Sequence, residues 1–94
     1  MQCDVLIVGS GLTGATIARL LKDRGYSPVV VERRAQVGGN AQDHRHESGI
    51  IVHTYGPHYF RTSSERLWGF VNRFASFRPF AATLKTLVDG RYEN

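Results

Sequence analysis

Apolar positions gather in short runs at the start of the chain, and their period changes along it. Asp4 to Val8 is a short β-branched run without alternation, the pattern of a strand buried on both faces. Gly9-Ser10-Gly11 breaks the run. From Leu12 to about Arg24, residues Gly14, Ile17, Ala18 and Leu21 recur at i, i+3, i+4 and i+7, which predicts a helix with one narrow apolar face. Gly25 follows where a left-handed residue ends a helix without strain. Val29-Val30-Val31 predicts a second buried strand ending at Glu32. Two strands joined by so short a helix predict a right-handed parallel crossover.

Beyond Glu32 the pattern loosens. Arg33 to Asn40, with Gly38-Gly39, reads as a loop. His44 to Glu47 and Ile50 to Thr54 flank Ser48-Gly49, a two-residue hairpin turn by sequence. Tyr55-Gly56-Pro57-His58 is another turn. Thr62-Ser63-Ser64-Glu65 reads as a capping box, with Thr62 as cap and Glu65 reaching back. Leu67, Phe70, Val71 and Phe74 then give a second helical stripe. Thr83 to Val88, Asp89-Gly90 and Arg91-Tyr92 predict a closing hairpin. No repeat and no linker interrupts the chain. One parallel pair is too little sheet for a finished domain of this kind, so the 94 residues read as the front of a longer protein.

Composition narrows the class. Apolar residues make up 41% and charged residues 21%, ordinary globular values that argue against disordered and collagen-like chains. No apolar run approaches the length of a membrane span or a signal-peptide core, so no membrane insertion is expected. The lone Cys3 allows no internal disulfide and suits a reducing, cytoplasmic setting. The net charge of +4 comes from arginines scattered between Arg19 and Arg91, not from a basic block, so nucleic acid is not the expected partner.

The chemistry lies in the turns. Gly9-Ser10-Gly11-Leu12-Thr13-Gly14 is a G-x-G-x-x-G set between a strand and a helix. Gly9 would make the tight turn, Gly11 admit a pyrophosphate, and Gly14 let the helix lie close to the sheet. Glu32, 18 residues after Gly14, closes the second strand, where a carboxylate accepts adenosine ribose hydroxyls and repels a 2′-phosphate. The constellation predicts a dinucleotide site in an α/β, Rossmann-like βαβ unit with a parallel sheet, plus a hairpin and an additional helix. Gly38-Gly39 after Glu32 resembles the second nucleotide loop of FAD-binding oxidoreductases such as amine oxidases and phytoene desaturases, and makes FAD the expected cofactor.

Four histidines invite a metal reading, but no spacing supports one, and His44 and His46 read as surface residues. His53 and His58 bracket the Gly-Pro turn. On spacing alone, packing against Tyr55, Tyr59 and Phe60 is their simpler reading.

Taken together, Val5 to Leu12, Glu32-Arg33-Arg34 with Val37-Gly38-Gly39-Asn40-Ala41, and His53-x-Tyr55-Gly56-x-His58-x-Phe60-x-Thr62 resemble the UDP-galactopyranose mutase family along essentially the whole chain. Trp68, Val71-Asn72, Phe77 and Phe80 fit the same resemblance. The resemblance implies a flavin-dependent isomerase in full-length form. In that family the N5 of reduced FAD attacks the anomeric carbon of a UDP-sugar, and the ring recloses as a furanose. It implies that Gly9, Ser10, Gly11, Leu12, Thr13, Gly14 and Glu32 hold the adenosine diphosphate half, with Arg33 or Arg34 nearby. Gly38, Gly39 and Asn40 would line the ribityl and flavin side, joined by His53 and Tyr55. His58 would stand against the isoalloxazine on a turn hinged at Gly56, these two being the candidate catalytic positions. The family's substrate-gripping residues have no counterpart in the 94 residues, so this piece alone is expected to be inactive, and homo-oligomerisation of the full-length protein stays open. Two departures bear on substrate: Arg61 replaces the histidine usual after Phe60, and Ala81-Ala82-Thr83-Leu84 lacks the family's asparagine and proline. A mutase acting on another nucleotide sugar and an FAD-dependent amine-oxidase or desaturase-type oxidoreductase are the alternatives.

Overall fold

The computed structural model describes residues 2–94 and divides them into two compact units, one running to Tyr59 and the other spanning Phe60–Asn94. The first unit opens with strand β1 (Val5–Val8), helix α1 (Leu12–Asp23) and strand β2 (Pro28–Val31). The strands pair in parallel, Val5 opposite Pro28 through Val8 opposite Val31. Two backbone bonds carry the pairing past its ends, from Asp4 N–H to Ser27 O at 3.0 Å and from Gly9 N–H to Val31 O at 2.7 Å. Ser27 N–H also donates to Asp4 Oδ2 at 2.7 Å.

Helix α1 ends as Gly25 predicts. With φ of +88° there, Gly25 N–H reaches Lys22 O at 3.0 Å and Tyr26 N–H reaches Leu21 O at 3.1 Å, the paired bonds of a Schellman close. Gly14, Ala18 and Leu21 are half-buried, whereas Ile17, at the edge of the stripe, is exposed.

The strands are not buried on both faces as their sequence suggests. Val5 and Ile7 are half-buried, but Leu6 and Val8 stand 59% and 82% exposed. The reason is architectural: α1 covers one side of a sheet that has only two strands. Among the described residues no apolar side chain is buried.

A 3-10 turn (Gly39–Ala41) leads into the antiparallel pair β3 (Asp43–Arg45) and β4 (Ile51–His53). The hairpin loop has three residues rather than the two its Ser48-Gly49 pair suggests. His46 N–H bonds Ile50 O at 2.8 Å and Gly49 N–H bonds His46 O at 2.8 Å, with Gly49 at φ +88°. That is a turn plus a left-handed bulge residue, the next most favourable way to reverse a twisted pair.

The second unit holds helix α2 (Glu65–Val71) and the hairpin β5 (Thr86–Val88) with β6 (Arg91–Glu93). The α2 cap is Ser64, not Thr62. Ser64 Oγ accepts from Leu67 N–H at 3.3 Å, while Thr62 Oγ1 accepts from Ser64 N–H at 3.0 Å, one step outside the helix. Phe77 sits edge-on to Phe60 and Trp68, and its N–H bonds Asn72 Oδ1 at 3.0 Å. The last hairpin turns on Asp89 and Gly90, both at positive φ, as an Asp-Gly pair predicts.

Candidate functional site

The first glycine loop occupies the turn between β1 and α1. Gly9 has φ of +97°, open to glycine without strain. At Gly14 an added Cβ would lie 2.1 Å from the Gly9 carbonyl oxygen and 3.3 Å from Ile7 Cγ2, so only glycine lets α1 come this close to β1. At Gly11 a Cβ would meet nothing within 4 Å, which leaves the backbone accessible. Gly11 caps α1 without a side chain, and the first helical turn carries no acidic residue. A bare helix N-terminus of this kind attracts phosphate through its free N–H groups and its dipole.

Glu32, one residue past β2, reaches back to that loop. Its Oε2 accepts from Ser10 N–H at 2.8 Å and from Ser10 Oγ at 2.7 Å, and its Oε1 accepts from Arg34 N–H at 2.9 Å. These bonds hold the carboxyl down at about 2, the Arg34 N–H first, then the Ser10 hydroxyl and N–H, with partial burial working against them. The group is therefore ionised throughout the neutral range. The sequence places Glu32 on a ribose; the structure adds that its Oε2 is held by Ser10.

The second glycine loop folds against the first. Gly38, at φ +103°, donates its N–H to Ser10 O at 3.0 Å. A Cβ on Gly39 would come within 2.9 Å of Gly11 Cα, so the glycine pair is what allows the two loops to touch. Between them lies an open cavity of about 370 Å³, lined by Val8, Gly9, Gly11, Leu12, Thr13, Gly14, Gly38, Asn40, Ala41 and His58. Pockets for small organic ligands begin at about this size. Both glycine loops and His58 thus share one cavity, although they are far apart in sequence.

The histidine turn follows β4. His53 and His58 lie with ring centroids 5.9 Å apart, and Gly56 between them has φ of +94°. Tyr55 stacks beneath Arg34, whose guanidinium carbon lies 4.6 Å from the ring centroid. Arg34 also donates to Asn40 Oδ1 at 3.1 Å, and Gln36 Nε2 donates to Tyr55 OH at 2.9 Å. Arg33 is exposed. Of the sequence-predicted residues, Ser10, Glu32, Arg33, Arg34, Gly39, His53, Tyr55 and Gly56 do not line the cavity. Val8 and Ala41 line the cavity although the sequence assigns neither a site role; each adjoins a motif residue, Gly9 and Asn40. His44 bonds Thr54 Oγ1, and His46 bonds Ser48, both at 2.9 Å on the exposed hairpin.

Residues 7–74 match the NAD(P)-binding Rossmann-like domain family. The chain belongs to that family. Within this Rossmann-like family it is similar to the dTDP-fucopyranose mutase of Escherichia coli, 47% identical over 88 residues, which cover 93% of this chain and 23% of that protein. It is also similar to a probable UDP-galactopyranose mutase of Klebsiella pneumoniae, 39% identical over 89 residues, 94% of this chain and 23% of the relative. The flavin-containing amine oxidase B of Rattus norvegicus is 45% identical over 66 residues, 70% of this chain and 13% of the oxidase. The Rossmann-like chain therefore spans about a quarter of the length of the curated mutases it matches. Among the described residues no helix is long and apolar enough to cross a membrane, and no cluster of three or more His, Cys, Asp or Glu is disposed to hold a metal ion.

Proposed function

We propose that this chain forms the FAD-binding part of a nucleotide-sugar mutase that interconverts the pyranose and furanose forms of its sugar. The observation that carries the reading is the single cavity shared by the two glycine loops and His58. Backbone N–H groups at the start of α1, reached across Gly11, would hold the diphosphate, and Glu32 would accept a ribose hydroxyl. Asn40 and His58 would face the remainder of the cofactor. Reduced FAD, when bound, supplies the nucleophile for sugar-ring isomerisation without net redox change. The His58 side chain lines the cavity, and Gly56, at φ +94°, shapes the turn that precedes it. Its lone, exposed Cys3 fits a cytoplasmic protein.

Two nucleotide sugars fit this reading, UDP-galactopyranose and dTDP-fucopyranose. The higher identity to the dTDP-fucopyranose mutase favours the second. The likeness to a flavin-containing amine oxidase supports a different reaction, net flavin reduction by an organic substrate. The test is to incubate the dithionite-reduced full-length protein with each nucleotide sugar and follow furanose by chromatography. Furanose from either sugar bears out the mutase reading and identifies the substrate. A protein that holds FAD, forms no furanose from either sugar and is reduced by an amine belongs with the oxidases.

A further inference from the structure

Ser10 occupies the first variable position of the glycine loop, where the motif asks for no particular side chain. Among the described residues it is nonetheless the one buried polar residue, 8% exposed. Each of its polar groups is engaged. Its N–H and Oγ both reach Glu32 Oε2, at 2.8 and 2.7 Å, and its carbonyl accepts the Gly38 N–H at 3.0 Å. A single residue thus joins the β1–α1 turn to the acidic end of β2 and to the second glycine loop. Among the described residues Glu32 Oε2 accepts two bonds and Oε1 accepts the Arg34 N–H at 2.9 Å, with the Arg33 N–H a weaker influence on the carboxylate, so Oε1 keeps a lone pair for a further donor. The Ser10 hydroxyl, spent on Glu32, is not among the groups lining the cavity.

We propose that Ser10 is a positioning residue of the dinucleotide site, whose hydroxyl fixes the Glu32 carboxylate so that Oε1 is left to accept one ribose hydroxyl, without itself touching the cofactor. This rests on the flavin reading above. A hydrogen bond to a charged acceptor is among the stronger side-chain bonds, and its loss lets the carboxylate leave the geometry the sugar requires. The charged groups beside Glu32 are its chain neighbours Arg33 and Arg34; the two glycine loops, from Gly9 to Thr13 and from Gly38 to Asn40, bring no ionisable side chain. Removing the Ser10 hydroxyl therefore also returns the carboxyl toward ordinary titration.

The experiment measures FAD affinity of the full-length protein, freed of flavin, by fluorescence quenching between pH 4 and 8. Ser10→Thr and Ser10→Val have nearly the same shape, and only the first keeps a hydroxyl. The threonine variant is expected to bind FAD as the parent does. The valine variant is expected to bind about tenfold more weakly at neutral pH, and to lose affinity relative to the parent below about pH 5. In a Glu32→Gln background the valine change is expected to add no further loss, because the partner it acts through is altered. Ser10→Ala, which only removes an atom, gives the same comparison where valine does not fit. Parental affinity and pH profile in S10V and S10A overturn the inference, as does an equal loss with or without Glu32. A parent that takes up no FAD overturns the flavin reading and this inference with it. A parent that binds FAD beside a hydroxyl-free variant that binds it equally well overturns this inference alone.

Discussion

At Gly14 an added Cβ would lie 2.1 Å from a backbone oxygen, whereas at Gly11 it would meet nothing. The two glycines of one motif therefore serve different ends, and substitution separates them. Gly14→Ala is expected to cost about 3 kcal/mol or more of stability, because the Gly9 carbonyl cannot move aside without breaking the turn. Gly11→Ala is expected to cost about 1 kcal/mol, that of a poorer helix cap, yet to abolish dinucleotide binding by placing a methyl group in the cavity mouth. Denaturant titration and nucleotide binding, measured on both variants, check the pair; a stable G14A or a G11A that still binds goes against it. Glu32 carries the pH dependence at this scale. Its folded pKa of about 2 lies below the ordinary 4.5, so its contribution is present above about pH 4.5 and is lost as pH falls toward 2. Acid titration of Glu32→Gln beside the parent is expected to remove that part of the stability profile, and an unchanged profile contradicts it. The glycines and Glu32 were legible in the sequence because each has a backbone or charge role tied to a fixed spacing. Ser10 was legible only as a member of the loop, since its role depends on a carboxylate that the fold brings to it from 22 residues away.

Elements were read more surely than their surroundings. The strand–helix–strand order, the Gly25 close of α1 and the Asp89-Gly90 turn follow from local chemistry, and the structure has them where the sequence puts them. The Ser48-Gly49 hairpin loop and the α2 cap differ from the sequence pattern for local reasons as well. Thr62 and Ser64 both offer an oxygen, and the four-residue box favours Thr62, but the helix starts at Glu65 and so takes Ser64. Ser64→Ala is expected to destabilise α2 by about 1 kcal/mol, and Thr62→Ala by less. Amide hydrogen exchange at Leu67 reads the difference, with faster exchange expected in S64A; equal exchange in the two variants contradicts the assignment of the cap. What the sequence could not supply was burial. A β-branched run says that a strand wants cover on both faces, and it cannot say what provides the cover.

For the whole molecule, the missing cover has a physical consequence. Val8, Val37, Phe80, Leu84 and Tyr92 are each more than 70% exposed, and no apolar side chain among the described residues is buried. The 94 residues expressed alone are therefore expected to bind a hydrophobic dye and to melt without a cooperative transition. A sharp calorimetric transition without dye binding contradicts that. At the same scale, the two glycine loops and Glu32 are proposed to form a dinucleotide site that takes FAD. The most direct measurement is the absorption spectrum of the full-length protein as purified, followed by chromatography of whatever cofactor heat releases. The expected result is a pair of flavin bands that bleach with dithionite, and FAD in the supernatant. A colourless protein that takes up no FAD on reconstitution contradicts a flavin site in these loops.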